Sequence, residues 1–118
     1  LLAAPGRVRS EVKGEKEQVS KITKSARGEE CQIRLPFICN GNKETVVWCH
    51  ANGSAAGKGI GMKAPDYLGA YACSACHDVV DGRRRCELSR TEIKLAFAEG
   101  VFRTQRILEA KGLLRIAA

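Results

Sequence analysis

The stretch "YACSACHDVVDGRRR", Tyr71 to Arg85, decides how the rest of the chain is read. Cys73 and Cys76 are spaced as a Cys-X-X-Cys pair. At the start of a helix that spacing puts both sulfurs on one side, where the helix dipole favours thiolates. His77 follows at once, and Asp81 lies four residues further on. On a helix, residues i and i+4 share a face. His77 and Asp81 can therefore hold a metal between them, with water and substrate in the open positions. One nitrogen and one oxygen ligand with open coordination suit a catalytic Mg²⁺, Mn²⁺ or Zn²⁺. The run Arg83, Arg84, Arg85 closes the segment and is well placed to grip phosphates. A solvated turn is the plainer reading of any one of these arginines.

Upstream, "CQIRLPFICNGN" brackets a short alternating segment with Cys31 and Cys39. Pro36 and Asn40-Gly41 supply turns, so a small hairpin or knuckle is expected. Cys31, Cys39, Cys73 and Cys76 together can enclose a tetrahedral zinc. Four thiolates leave no open position, so that site is structural, worth roughly 10 kcal/mol of folding energy by the standard of small zinc domains. The seven residues between Cys31 and Cys39 are a looser spacing than the usual two to four. Metal is favoured over disulfides, because closely spaced cysteines in a reducing compartment more often bind metal. Cys86 reads as a small buried residue. Cys49 is a core filler or a ligand, with filler favoured: strand residues alternate faces, and if His50 faces the site its neighbour does not.

The totals suit this picture. The chain has 118 residues and only 5% aromatics, which allows one domain with a modest core in need of a staple. A net charge of +7 favours an acidic partner, nucleic acid before membrane. No stretch approaches the length of a membrane span, and "LLAAPGRVRS" lacks the apolar run of a secretory signal. A cytoplasmic protein is expected.

Residues 1–20 read as a basic tail and 21–118 as the domain. "ETVVWCH", Glu44 to His50, has strong β propensity and should be a strand. "ANGSAAGKGIGMKAP" is a glycine-rich loop without a phosphate-loop ending, although Lys58 and Lys63 could lie against a nucleic-acid backbone. A second strand is expected over 67–73 and a short helix over 73–81. Ser89 and Glu92 form a capping-box pattern for a long helix to about Lys111. Ile93, Ala96, Phe97, Val101, Thr104 and Leu108 fall on one side of it, a face for the sheet or for a second subunit. Gly100 interrupts that helix at a cost of about 1 kcal/mol relative to alanine.

The order of strand ending in histidine, loop, strand, and helix opening "CSACHDVVD" resembles the HNH (ββα-metal) nucleases. More closely, "ARGEECQIRLPFICNGNKET", the histidine and "PDYLGAYACSACHDVVD" resemble the small YbcO-like prophage family, over about residues 20–115. The resemblance implies an α+β fold: a zinc-stabilised, treble-clef-related domain with a long C-terminal helix. It implies His50 as general base, His77 as metal ligand and Asp81 as the ligand one turn later. Asp66 falls near the asparagine that orients the base in HNH proteins. Cys49 stands before the base, where those proteins often carry a metal ligand. The implied activity is hydrolysis of DNA phosphodiester bonds to a 5′-phosphate and a 3′-hydroxyl, in a bacterial host.

Two other functions fit the same residues. One is an inactive zinc-stabilised accessory that binds nucleic acid, with His50 a structural histidine. The other is a zinc-ribbon-like adaptor that docks a partner on its C-terminal helix. That helix also makes a homodimer plausible.

Overall fold

The structure, a computed structural model, describes residues 21–52 and 65–117. Residues 21–25 are helical (α1), and a 3₁₀ turn spans Lys43–Thr45. Strand β1 runs Val47–His50 and pairs antiparallel with β2, Gly69–Ala72. Helix α2, Ser74–Val80, follows β2 directly, and α3 spans Arg90–Ala110. The fold is a small α+β arrangement of one two-stranded sheet and a long C-terminal helix.

Both strands are shorter than expected. The run Lys43–Thr45 is drawn into the 3₁₀ turn by Asn42, whose side chain accepts a hydrogen bond from the Glu44 N–H. The segment between Cys31 and Cys39 is a knuckle without strands. Arg34 and Phe37 both adopt left-handed backbone, at φ 56° and 62°. Ile38 N and Cys39 N both donate to Leu35 O, which closes the turn.

The register places Trp48 opposite Tyr71, and the two rings meet edge to face with centroids 5.7 Å apart. Period-two alternation sends Val47 and Cys49 to one face of β1, and Trp48 and His50 to the other. Gly69, opposite His50, leaves room for the indole. A Cβ there would come within 2.6 Å of the Trp48 ring.

A two-stranded sheet has two open edges, and β2 does not leave its own bare. The Tyr71 N–H donates to Thr104 Oγ1 of α3 at 3.1 Å, and Tyr71 O accepts from Gln32 N at 2.8 Å. The Tyr71 hydroxyl lies 2.8 Å from Ser25 Oγ at the end of α1. Arg103 grips Gln32 O with Nε and Nη2, at 3.0 and 2.7 Å. Helix α3 thus ties the knuckle, the sheet and α1 together. Its expected face is the one used: Val101, Thr104 and Leu108 are buried, and Ile93, Ala96 and Phe97 pack against the core.

At Gly100 α3 lies tight against the knuckle. A Cβ there would stand 3.0 Å from Gln32 O and 3.1 Å from the Ile33 Cα. The cost read from the sequence thus accompanies an approach so close that a Cβ would press on the knuckle backbone.

The capping box of α3 is complete: Ser89 Oγ accepts from Glu92 N, and Glu92 Oε1 accepts from Ser89 N. Both long-loop helices end on glycine. Gly82 and Gly112 sit at φ 80° and 77°. In each case the two following N–H groups return to carbonyls of the last turn: Gly82 N to Val79 O with Arg83 N to Asp78 O, and Gly112 N to Glu109 O with Leu113 N to Leu108 O.

Candidate metal centres and the histidine–carboxylate pair

The four cysteines of the first candidate centre converge from the knuckle and from the start of α2. The ligand atoms of Cys31, Cys39, Cys73 and Cys76 all lie within 4.8 Å of one another, and these four side chains could hold a metal ion. All six cysteines of the chain are unbridged. Cys73 is the N-cap of α2, and its sulfur accepts from Cys76 N at 3.4 Å. The other side of the centre is braced by polar side chains that the sequence reading passed over. Asn40 Nδ2 donates to Ser74 Oγ, and Thr45 Oγ1 accepts from Ser74 N. The 3₁₀ turn therefore clamps the first residue of α2 beside the sulfurs.

The protons of these thiols are unevenly shared. A hydrogen bond from Cys76 pulls the Cys31 thiol down to about 4, and the same bond pushes Cys76 up. Burial pushes Cys39 up to about 11. Several sulfurs at this spacing resist ionising together unless a cation sits among them.

A second group forms at the other end of α2. Ligand atoms of Cys49, His77 and Asp81 also lie within 4.8 Å of one another. His77 Nε2 and Asp81 Oδ2 are 3.2 Å apart, as the i, i+4 spacing leads one to expect. Asp81 is the C-cap of the helix. Alternation along β1 holds, but it is Cys49, fully buried, that meets these two residues, where a filler was favoured. Burial, reinforced by the Asp81 carboxylate, pushes its thiol up. The signal for Cys49 was its place immediately before His50.

His50 leaves the opposite face of β1. Its ring stands edge-on to Trp48, with centroids 6.4 Å apart, and its Nε2 lies 3.3 Å from Asp66 Oδ1. His50 is exposed, whereas Asp66 is largely covered, and its other oxygen is buried with no hydrogen-bond partner among the described residues.

The three arginines do not act alike. The Gly82 turn folds Arg83 back on α2, where Nε meets Asp78 Oδ1 at 3.0 Å, Nη1 meets Asp81 Oδ2 at 3.2 Å and Nη2 meets His77 Nδ1 at 3.1 Å. Arg83, although more than half exposed, is committed to the second centre by these three contacts. Among the described residues, Arg84 and Arg85 form no ion pair with a carboxylate, and both line a cavity of about 720 Å³ that reaches Asp81. Cys86 is half-buried on the wall of that cavity. Lys58 and Lys63 lie outside the described residues, as does the segment 1–20.

The profile of the family described as "Putative nuclease YbcO" matches residues 20–113. This chain belongs to the YbcO family. The Escherichia coli K12 relative described as "Putative nuclease YbcO" is 41% identical over 97 residues, covering 82% of this chain and 99% of the relative. A relative from Enterobacteria phage 82 with the same description matches to the same extent. Among solved structures, one described as a putative bacteriophage protein from E. coli K-12 MG1655 superposes with a TM-score of 0.63 at 41% identity. It aligns with 77% of this chain and 99% of that chain. The YbcO match includes both candidate centres and all of α3. Among the described residues, no helix is long and apolar enough to cross a membrane.

Proposed function

We propose that the chain is a metal-dependent endonuclease that hydrolyses DNA phosphodiester bonds, built on a zinc-stabilised HNH-like ββα-metal fold. The observation that carries this reading is the meeting of Cys49, His77 and Asp81 within 4.8 Å, one residue along β1 from the His50–Asp66 pair. The order β1, β2, α2 supports the ββα assignment, and the relatives' description as nucleases supports the hydrolytic class.

The donor sets assign different tasks to the two centres. Zinc–sulfur bonds of about 2.3 Å in a tetrahedron require sulfurs about 3.8 Å apart. Cys39 and Cys73 stand at 3.8 Å, so the four-cysteine set fits a closed, structural zinc. The other set offers one sulfur, one nitrogen and one oxygen, and three protein ligands are the usual complement of a catalytic zinc. The soft thiolate favours Zn²⁺ there over Mg²⁺ or Mn²⁺. A divalent ion bound there supplies Lewis acidity to a phosphodiester oxygen.

The chain's own residues do the rest. Asp66 accepts a hydrogen bond from His50 Nε2–H, which holds the tautomer with its basic lone pair on Nδ1. From there His50 takes a proton from the attacking water. Cys49 and His50 leave opposite faces of β1, so a phosphodiester served by both must cross the His50 end of that strand. Arg84 and Arg85 hold flanking phosphates. A second copy would pack on α3, where Leu95 and Phe102 are exposed seven residues apart. Sedimentation of native and Leu95→Glu protein tests this: a dimer lost in the variant supports it, and a native monomer removes it.

The testing experiment is relaxation of supercoiled plasmid in Zn²⁺, Mn²⁺ or Mg²⁺, with His50→Ala prepared identically. A general base is worth roughly 10² to 10⁴ in rate. Nicking by the native protein alone supports the reading. Equal nicking by both excludes His50 as base. No nicking by either, with salt-sensitive DNA binding retained, favours the inactive accessory instead.

A further inference from the structure

Phe37 is the most conspicuous side chain that the proposed chemistry leaves unused. It is fully exposed, at 104% of its reference area. Burying a phenylalanine is worth about 1.5–3 kcal/mol, so a ring held in water is unspent binding energy. Its backbone sits at φ 62°, a region that residues with side chains rarely adopt. The ring is not on a loose loop. Cys31 and Cys39 flank its turn, and Leu35 O fixes the two residues that follow it. The knuckle therefore presents the ring from a rigid mount, which lowers the cost of ordering it on binding.

What surrounds the ring identifies its partner. Phe37 and Pro36 line a cavity of about 470 Å³ with Arg84 and Arg85. The same two arginines line the larger cavity of about 720 Å³, together with Arg90, Lys94 and Asp81. Among the described residues, none of Arg84, Arg85, Arg90 and Lys94 forms an ion pair with a carboxylate. Two acids stand on the Phe37 cavity, Glu87 and Glu92, and Glu92 is engaged in the helix cap. A continuous path thus runs from the Cys49–His77–Asp81 group, over cations that pair with no carboxylate among the described residues, to an exposed aromatic face. Cationic track plus aromatic platform is the pattern that binds single-stranded nucleic acid, phosphates on the first and an unstacked base on the second. In a duplex, bases are stacked and offer the ring no free face.

We propose that Phe37 is a stacking platform for an unpaired base, and that the strand entering the candidate active site is single-stranded or locally unpaired DNA. This rests on the nucleic-acid reading above and adds the class of substrate.

The test uses full-length protein loaded with one equivalent of zinc, enough for the four-cysteine centre alone, and no further divalent metal, so that binding is read without cleavage. The probes are a fluorescein-labelled DNA strand of about 20 nucleotides, longer than typical single-strand site sizes, and the blunt duplex it forms with its complement. Anisotropy titration should show tighter binding to the single strand. Phe37→Ala should weaken single-strand binding by at least about fivefold, the low end for loss of one base–aromatic stack. Duplex binding should be unchanged, and Phe37→Trp should restore the single-strand affinity. An exposed ring can be removed without loss of fold, and zinc content verifies this. If Phe37→Ala leaves single-strand binding intact, or weakens both probes equally, the inference is overturned while plasmid nicking still supports the nuclease. If the native protein binds neither probe, the nuclease reading falls with it.

Discussion

Arg83 Nη1 stands 3.2 Å from Asp81 Oδ2, the same carboxylate oxygen that lies 3.2 Å from His77 Nε2. The second candidate centre is thus built with a fixed positive charge at its rim. The guanidinium also contacts His77 Nδ1, so that nitrogen must carry the lone pair and Nε2 the proton in this arrangement. A divalent ion that uses Asp81 must share it with Arg83 and accept the repulsion.

Arg83→Gln should therefore tighten metal binding. A divalent ion and a guanidinium about 5 Å apart repel by roughly 1.7 kcal/mol in a water-like medium before salt screening, and Arg83 is more than half exposed, so the gain should be about threefold to tenfold. Competition of Zn²⁺ between the protein and a chromogenic chelator, with the four-cysteine centre already filled, measures it. Unchanged or weaker affinity would show that Arg83 organises the ligands rather than opposing the ion.

Asp66→Ala should leave folding and zinc content intact but slow plasmid nicking. Partners that orient a functional histidine are typically worth about 10- to 100-fold. The change falls on an exposed histidine's partner at 3.3 Å, not on the core. A loss as large as that of His50→Ala would mean that Asp66 does more than orient.

Cysteine alkylation should sort the two centres. With zinc loaded, iodoacetamide should modify Cys86, half-buried and outside both groups, before any other cysteine. Cys49 should resist even after chelation at neutral pH, because burial keeps its thiol protonated and out of reach. Cys39, only partly buried, should become reactive when zinc is removed, and chiefly at alkaline pH, because burial holds its thiol up to about 11. Peptide mass spectrometry reads all three, and early labelling of Cys49 would contradict its burial.

Gly100→Ala should destabilise the fold, although alanine is the better helix former by about 1 kcal/mol. The new methyl would press on Gln32 O at 3.0 Å and on Ile33, backbone that the Arg103 grip holds against α3. Overpacking of this kind costs about 1–3 kcal/mol, so a net loss is expected in denaturant unfolding of the zinc-loaded protein. A stabilised variant would show that the knuckle yields.

Much of this was legible locally. The α3 cap lies in Ser89 and Glu92, the α2 start in Cys73-X-X-Cys76, and β1 in the β-branched and aromatic run ahead of Cys49. Alternation also showed that Cys49 and His50 must part company. Which of the two meets His77 was not legible, because it depends on the face of the sheet against which α2 lies. The same holds for Arg83: an arginine run reads as a cationic patch, but the left-handed Gly82 turn sends its first member back onto Asp78 and Asp81. Gly100 reads as a flaw in a helix until the knuckle backbone is found against it. Phe37 reads as one more apolar residue between two cysteines until its exposure is known.

The central claim is that Cys49, His77 and Asp81 hold a divalent ion distinct from the one among the four cysteines. Anomalous scattering at the zinc edge from crystals of the zinc-loaded protein tests it most directly. The account predicts two peaks, one enclosed by Cys31, Cys39, Cys73 and Cys76 and one bounded by Cys49, His77 and Asp81. A single peak among the four cysteines, at zinc concentrations that support nicking, would contradict it.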